Sequence, residues 1–177
     1  MPRYWNRING LQKQILNDTA AQIIAFAKQH HVHTIVFEYL DKMRLPKGVY
    51  GAKRLRFKLH YWVKKGIQNK VEEMAHYEGM RISRVNPRNT SKYAFDGSGE
   101  VKRSQRGDLA IFSTGKQYHA DLSASYNIGA RYFIREIQKS ISEKEWSALS
   151  ANVPTLTTRT KQTLASFITL RTVFRFS

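Results

Sequence analysis

The stretch YHADLSASYNIGAR, residues 118–131, sets a single acid, Asp121, at the mouth of an apolar helical run in a strongly basic chain. From Leu122 to about Lys139 the residues Leu122, Tyr126, Ala130, Phe133, Ile134 and Ile137 recur at helical spacing, which predicts a helix with these side chains on one face. Asp121 then has two readings. An Asp at a helix start is a good N-cap, since its carboxylate accepts orphan amide hydrogen bonds and complements the helix dipole. A carboxylate is also a hard oxygen donor suited to a divalent cation. Periodicity does not separate the two.

Residues 88–117 are polar and turn-rich, with DGSG at 96–99 reading as a hairpin turn. Before them, GMRISRVNP (79–87) reads as a short strand that Pro87 ends. Residues 11–31 place Leu11, Ile15, Ala20, Ile23, Ile24 and Ala27 at helical spacing. HTIVFEYL (33–40) follows as a strand, apolar almost throughout, as expected of one covered on both faces. Glu38 interrupts it near its carboxyl end. A buried, unpaired carboxylate is costly, so Glu38 either pairs with one of the many Lys and Arg side chains or ligates a metal. Residues 42–70 contain ten Lys and Arg and no acid. Pro46, Gly48 and Gly51 make the first third a loop, and from Ala52 a helix is expected, striped by Leu55, Leu59, Trp62, Ile67, Val71 and Met74. Gly66 weakens that helix by roughly 1 kcal/mol relative to Ala. The Ser/Thr-rich remainder, 142–177, carries an amphipathic helix around 160–173. There is no internal repeat.

The charge balance indicates the partner. With 30 Lys and Arg against 13 Asp and Glu, the formal charge is +17, and such an excess attracts polyanions through phosphate neutralisation and counterion release. Residues 53–65 interleave Lys53, Arg54, Arg56, Lys58, Lys64 and Lys65 with Phe57, Tyr61 and Trp62. The cations suit phosphate contact; the aromatics suit either base stacking or ordinary packing. Arg81, Arg84, Arg88 and Lys92 continue the charge. No run of about 18 apolar residues is present to span a bilayer, and the amino terminus has no apolar signal core. Without cysteines there are no disulfides or thiolate metal sites. The composition is that of a soluble cytoplasmic protein that binds nucleic acid and no membrane.

The order of IVFEYL (35–40), a basic helix, RISRVNPRNTS (81–91) and TGKQYHADLSASYNIGAR (114–131) resembles the C-terminal half of the TnpB family. These are OrfB-type transposon proteins of insertion sequences, akin to the type V CRISPR nucleases. The resemblance runs from roughly Leu11 to Gln138. It implies an α/β, RNase H-like (RuvC-type) fold over residues 1–141, with 142–177 as a helical tail. It also implies a metal-dependent, RNA-guided DNA endonuclease in which three acidic motifs hold Mg²⁺ or Mn²⁺. Glu38 matches the second motif and Asp121 the third, so by resemblance both are catalytic metal ligands. Two such ions stabilise the attacking and leaving oxygens of an in-line displacement on phosphate.

Two departures from the family qualify this. The first acidic motif, an Asp on the opening strand, has no equivalent in residues 1–32, and the first three strands of the sheet are missing with it. The expectation is an incomplete domain, inactive by itself, which a separate N-terminal polypeptide would complete. The alternative is a catalytically inactive, nucleic-acid-binding remnant. The second departure is at the zinc ribbon, whose cysteines align with Ala94, Gly97, Ile111 and Thr114. None of these binds zinc, and His119 stands alone nearby, so a zinc-free hairpin is expected at about 88–117. DNA is the expected partner. Guide-RNA recognition in this family rests mainly on parts that have no counterpart in these residues.

Overall fold

Two long helices, each closed by the same turn, build the first half of the molecule. The computed structural model describes residues 2–40 and 50–174, which form a mixed α/β protein of two compact units, Met1–Ser83 and Arg84–Ser177. In the first, helix α1 (Pro2–Gln29) leads to strand β1 (Thr34–Glu38), and helix α2 (Gly51–Tyr77) leads to strand β2 (Arg81–Val85), whose last two residues belong to the second. At the end of α2, Met80 N–H donates to the Ala75 carbonyl at 2.8 Å and Gly79 N–H to the His76 carbonyl at 3.1 Å. Gly79 supplies the left-handed backbone, φ 69°, that this Schellman turn requires. At the end of α1, Val32 N–H reaches the Ala27 carbonyl at 2.8 Å in the same way, with His31 at φ 51° in the glycine's place. Each turn sends the chain straight into a strand, and β1 and β2 are neighbours in a two-stranded sheet.

The core of this unit joins Ala20, Ile24 and Ala27 of α1 to Val71 and Ala75 of α2 and to Met80, with Ile35, Phe37 and Ile82 of the strands packed against it. Small residues on both helices let them approach closely. At Gly66 an added Cβ would lie 3.0 Å from a Leu16 methyl, so the residue that weakens the helix by propensity serves the packing of the pair. The stripe expected on α1 is only partly buried, because Leu11 and Ile15 are exposed. Strand β1, expected to be covered on both faces, is half-buried along its whole length. The loop expected around Pro46 and Gly48 lies outside the described residues, as do the side chains of Leu55, Leu59 and Trp62.

In the second unit, strands β3 (Lys102–Arg103), β4 (Leu109–Ile111) and β5 (Gln117–His119) make an antiparallel sheet in the order β3-β4-β5. The turn expected at DGSG is present: Tyr93 and Glu100 pair antiparallel across it, and Ala94 N–H donates to the Gly99 carbonyl at 2.9 Å. Ala94, Ala110 and Phe112 form a small core under Phe95, Val101 and Tyr118. The rings of Phe95, Phe112 and Tyr118 all lie within 5.2 Å of one another, centroid to centroid. Of the positions aligned with the family's cysteines, Ala94 belongs to this core, and an added Cβ at 97 would meet the Ala165 methyl at 3.0 Å.

Helix α3 (Ala120–Ser140) runs directly out of β5, and α4 (Glu143–Asn152), two 3₁₀ turns and α5 (Leu164–Val173) follow. The compact units part at Ser83 and Arg84. Residues beyond 141 share a core with α3: Ile134 and Ile137 are buried with Val153, Leu156 and Leu170. That helical segment packs as part of the unit. Its helices start with two capping boxes, Ser142 with Glu145 and Thr163 with Ser166. Among the described residues, no helix is long and apolar enough to cross a membrane.

Candidate functional site

Asp121 lies in the first turn of α3 but does not cap it. The cap is His119, whose Nδ1 accepts the Asp121 backbone N–H at 3.3 Å. Ala120 N–H is taken by the Asp108 carbonyl at 2.7 Å. The Asp121 carboxylate is exposed, and among the described residues no donor meets it. This corrects the capping reading: the backbone duty falls two residues earlier, on the histidine that sequence reasoning had set aside as solitary. Residual attraction to the helix dipole, about 0.3–1 kcal/mol for an exposed acid, is all that the fold draws from Asp121.

Glu38 ends β1, as its place in the sequence requires. Its backbone carbonyl accepts the buried Gln68 amide at 3.0 Å, which ties the strand end to α2. Its carboxylate is about one-third exposed and lies 3.9 Å from Lys64 Nζ, itself well exposed. An ion pair that long and that wet contributes little, on the order of 0–1 kcal/mol. Both carboxylates are thus accessible, and both offer the hard oxygens that Mg²⁺ or Mn²⁺ accepts. Glu38 belongs to the first unit and Asp121 to the second. Among the described residues, no three His, Asp or Glu side chains gather as a metal cage.

Of the expected nucleic-acid contacts, Lys53, Lys64 and Lys65 are exposed on α2, while the side chains of Arg54, Arg56 and Lys58 lie outside the described residues. Arg88 is exposed, but its backbone is engaged: its N–H donates to Asn86 Oδ1 at 2.9 Å and its carbonyl accepts Arg131 Nη1 at 2.8 Å. Lys92 is paired with Glu100 at 2.8 Å, a hydrogen bond that raises it above the ordinary lysine value. Its charge is therefore not free to extend the basic track.

Two residues of the opening motif carry roles that periodicity missed. Asn127, 0% exposed, donates to the carbonyls of Thr90 and Tyr93, each at 2.9 Å, and accepts the Leu164 N–H at 3.1 Å. Arg131, one turn further and buried, donates to the carbonyls of Asn86, Arg88, Thr160 and Gln162 at 2.8–3.3 Å. Burial pushes its guanidinium down to about 10, so it stays cationic at neutral pH with carbonyls alone around it. The readable signal was the spacing itself, because Asn and Arg four apart inside an apolar helix share one face. Together they hold the 86–93 loop and the entry to α5 on the inner side of α3.

No family model matches the chain. Its sequence is 31% identical over 132 residues to a TnpB-like protein of Aquifex aeolicus (strain VF5), a match covering 71% of this chain and 42% of that protein. The chain therefore spans less than half the length of that curated relative. Among solved structures it is similar to a chain in a cryo-EM structure of the Cas12f1–sgRNA–target DNA complex, with a TM-score of 0.49 and 21% identity over 70% of this chain and 34% of that one.

Proposed function

The chain is TnpB-related, and on that premise we propose that it carries the second and third acidic motifs of a metal-dependent DNA endonuclease of RNase H-like, RuvC-type fold. Glu38 and Asp121 would hold Mg²⁺ or Mn²⁺, which supplies the Lewis acidity for phosphodiester hydrolysis. The family's first acid and opening strands would come from a polypeptide segment outside these 177 residues. The exposed lysines of α2 would bind the nucleic-acid backbone, and Lys64 would release Glu38 readily because their contact is long. Guide-RNA binding belongs to the same proposal.

The observation that supports this most is the free carboxylate of Asp121 beside a cap already made by His119. A residue retained for capping would accept those amides itself. The test is Mn²⁺ binding by electron paramagnetic resonance, with thermal unfolding alongside. Asp121→Asn and Glu38→Gln should each weaken Mn²⁺ binding at least tenfold while leaving the melting temperature nearly unchanged. Unaltered Mn²⁺ binding together with a lowered melting temperature would make Asp121 a structural residue and end the proposal.

A second reading is a nucleic-acid-binding protein without cleavage. The exposed lysines of α2 would serve such a protein equally well. Nicking of supercoiled DNA in Mg²⁺, with and without the upstream segment of a TnpB-like relative supplied in trans, separates the two. Binding without nicking under both conditions selects the second.

A further inference from the structure

A cleft of 440 Å³ in the second unit is lined by five cationic side chains, Arg84, Arg131, Arg135, Lys139 and Arg159, and by no Asp or Glu. We infer that this cleft is a binding site for a phosphate of a polynucleotide backbone, distinct from the Asp121 end of α3. The inference rests on the nucleic-acid reading above and adds a second site to it.

The floor of the cleft is Arg131. Four of its five N–H donors are taken by carbonyls, which holds it in place, and among the described residues no carboxylate pairs with it. A fixed, uncompensated charge beneath a concave surface focuses positive potential on the space above it. The rim is movable. Arg159 is exposed on a 3₁₀ turn and Lys139 is exposed near the end of α3. Arg135 is fastened by Nη1 to the Arg84 carbonyl at 2.9 Å. Glu136, outside the lining, contacts Arg135 at 3.1 Å and Lys139 at 3.3 Å and offsets part of the rim charge, while it makes no such contact with Arg131 or Arg159.

Guanidinium forks match phosphate oxygens in pairs, which favours phosphate over a monatomic anion. The lining includes no aromatic ring. The contact assigned to the cleft is therefore with phosphate and sugar, which carry no sequence information. At 1.5 Å per helical residue, Arg131 and Lys139 stand about 15 and 27 Å along α3 from Asp121. A strand held here would be gripped several nucleotides from any ion at Asp121.

The test uses the full chain and a fluorescein-labelled single-stranded oligonucleotide, with anisotropy titrated from 50 to 200 mM salt. The double variant Lys139→Ala/Arg159→Ala removes two exposed rim charges. The control, Lys102→Ala/Lys116→Ala, makes the same charge change at exposed hairpin positions. Losing two phosphate contacts on a single strand should weaken binding roughly 25-fold at 0.1 M salt and flatten the log–log salt slope by about 1.4. The control should lose less than about threefold. Equal losses from both pairs, or none from the cleft pair, would overturn the site while leaving nucleic-acid binding in place. No binding by the unaltered chain would instead overturn the nucleic-acid reading. A pyrophosphate arm, read by side-chain NMR of the arginines, tests the source: pyrophosphate shifts at Arg159 without oligonucleotide binding would make this a site for free phosphate and overturn the backbone assignment. Failure of metal binding at Asp121 would not alter these results, because neither pair touches Glu38 or Asp121.

Discussion

Replacing Asn127 by Ala tests whether the polar residues inside α3 hold the second unit together. The side chain is fully buried and satisfies three backbone groups, the carbonyls of Thr90 and Tyr93 and the amide of Leu164. Each group left buried without a partner costs about 1–3 kcal/mol. The space vacated by the amide is large enough for a water, which could satisfy some of the three. The net expectation is therefore near the lower bound, about 2–4 kcal/mol, a large share of the roughly 5–15 kcal/mol that holds a domain together. Urea and thermal unfolding followed by circular dichroism should show a melting temperature lower by on the order of 10–20 °C. Asn127→Asp gives a second handle. It keeps the volume and the acceptor for Leu164, but turns a carboxylate toward two carbonyls. Burial raises the introduced carboxyl's folded pKa above its unfolded value, so that variant should gain stability relative to the parent as pH falls. A loss below about 1 kcal/mol for Asn127→Ala, well under the cost of three orphaned groups, would refute the reasoning.

Other consequences follow from the caps and cores. His31→Gly relieves a left-handed residue at the end of α1 and should stabilise the first unit by about 1 kcal/mol, whereas Gly79→Ala should destabilise it by a similar amount; urea midpoints measure both. His119→Ala should lower stability by more than Asp121→Asn does, about 0.5–2 kcal/mol for a lost cap, in the same assay. Ser142's hydroxyl and amide hydrogen-bond Glu145 and hold its carboxyl below the ordinary value. That stabilisation is complete above the unfolded value and is lost as pH falls through the folded one. Glu145→Gln should therefore flatten the loss of stability below about pH 4 in melts from pH 2 to 6. Phe112→Ala opens the hairpin core and should cost about 3–5 kcal/mol, read by amide exchange of β4 and β5.

The order of elements was legible because punctuation and period agree along most of the chain. Gly79 and Pro87 bracket β2, DGSG marks its hairpin, and β-branched residues define β1. The covered face of each helix was not legible. Hydrophobicity placed Leu122 and Phe133 inward with Ile134, yet they are 48% and 51% exposed. The buried face of α3 includes Ser123, Asn127 and Arg131 because what lies opposite is a loop rich in unpaired carbonyls. An apolar stripe cannot satisfy such a loop, and a pattern built on apolar residues cannot find it. The cap was misplaced for a related reason. Asp is favoured at N-caps on average, but here the strand runs into the helix so directly that His119 is already in position. Glu38 at a strand end needed only the strand to be found.

The two sides of α3 therefore divide the labour that the opening motif mixes in sequence. Asn127, Arg131 and Arg135 turn inward and take the carbonyls of residues 84–93, so the end of β2 and the loop after it are positioned by the helix. The same rod carries Asp121 at its start and Lys139 at its end. A carboxylate that contributes little to stability sits on a helix fastened by residues that contribute much. Rigid backing of that kind is what a site requires to hold its groups within a fraction of an ångström. Loosening the inner side should therefore disturb the phosphate cleft as well as the fold, while removing Asp121 should disturb neither.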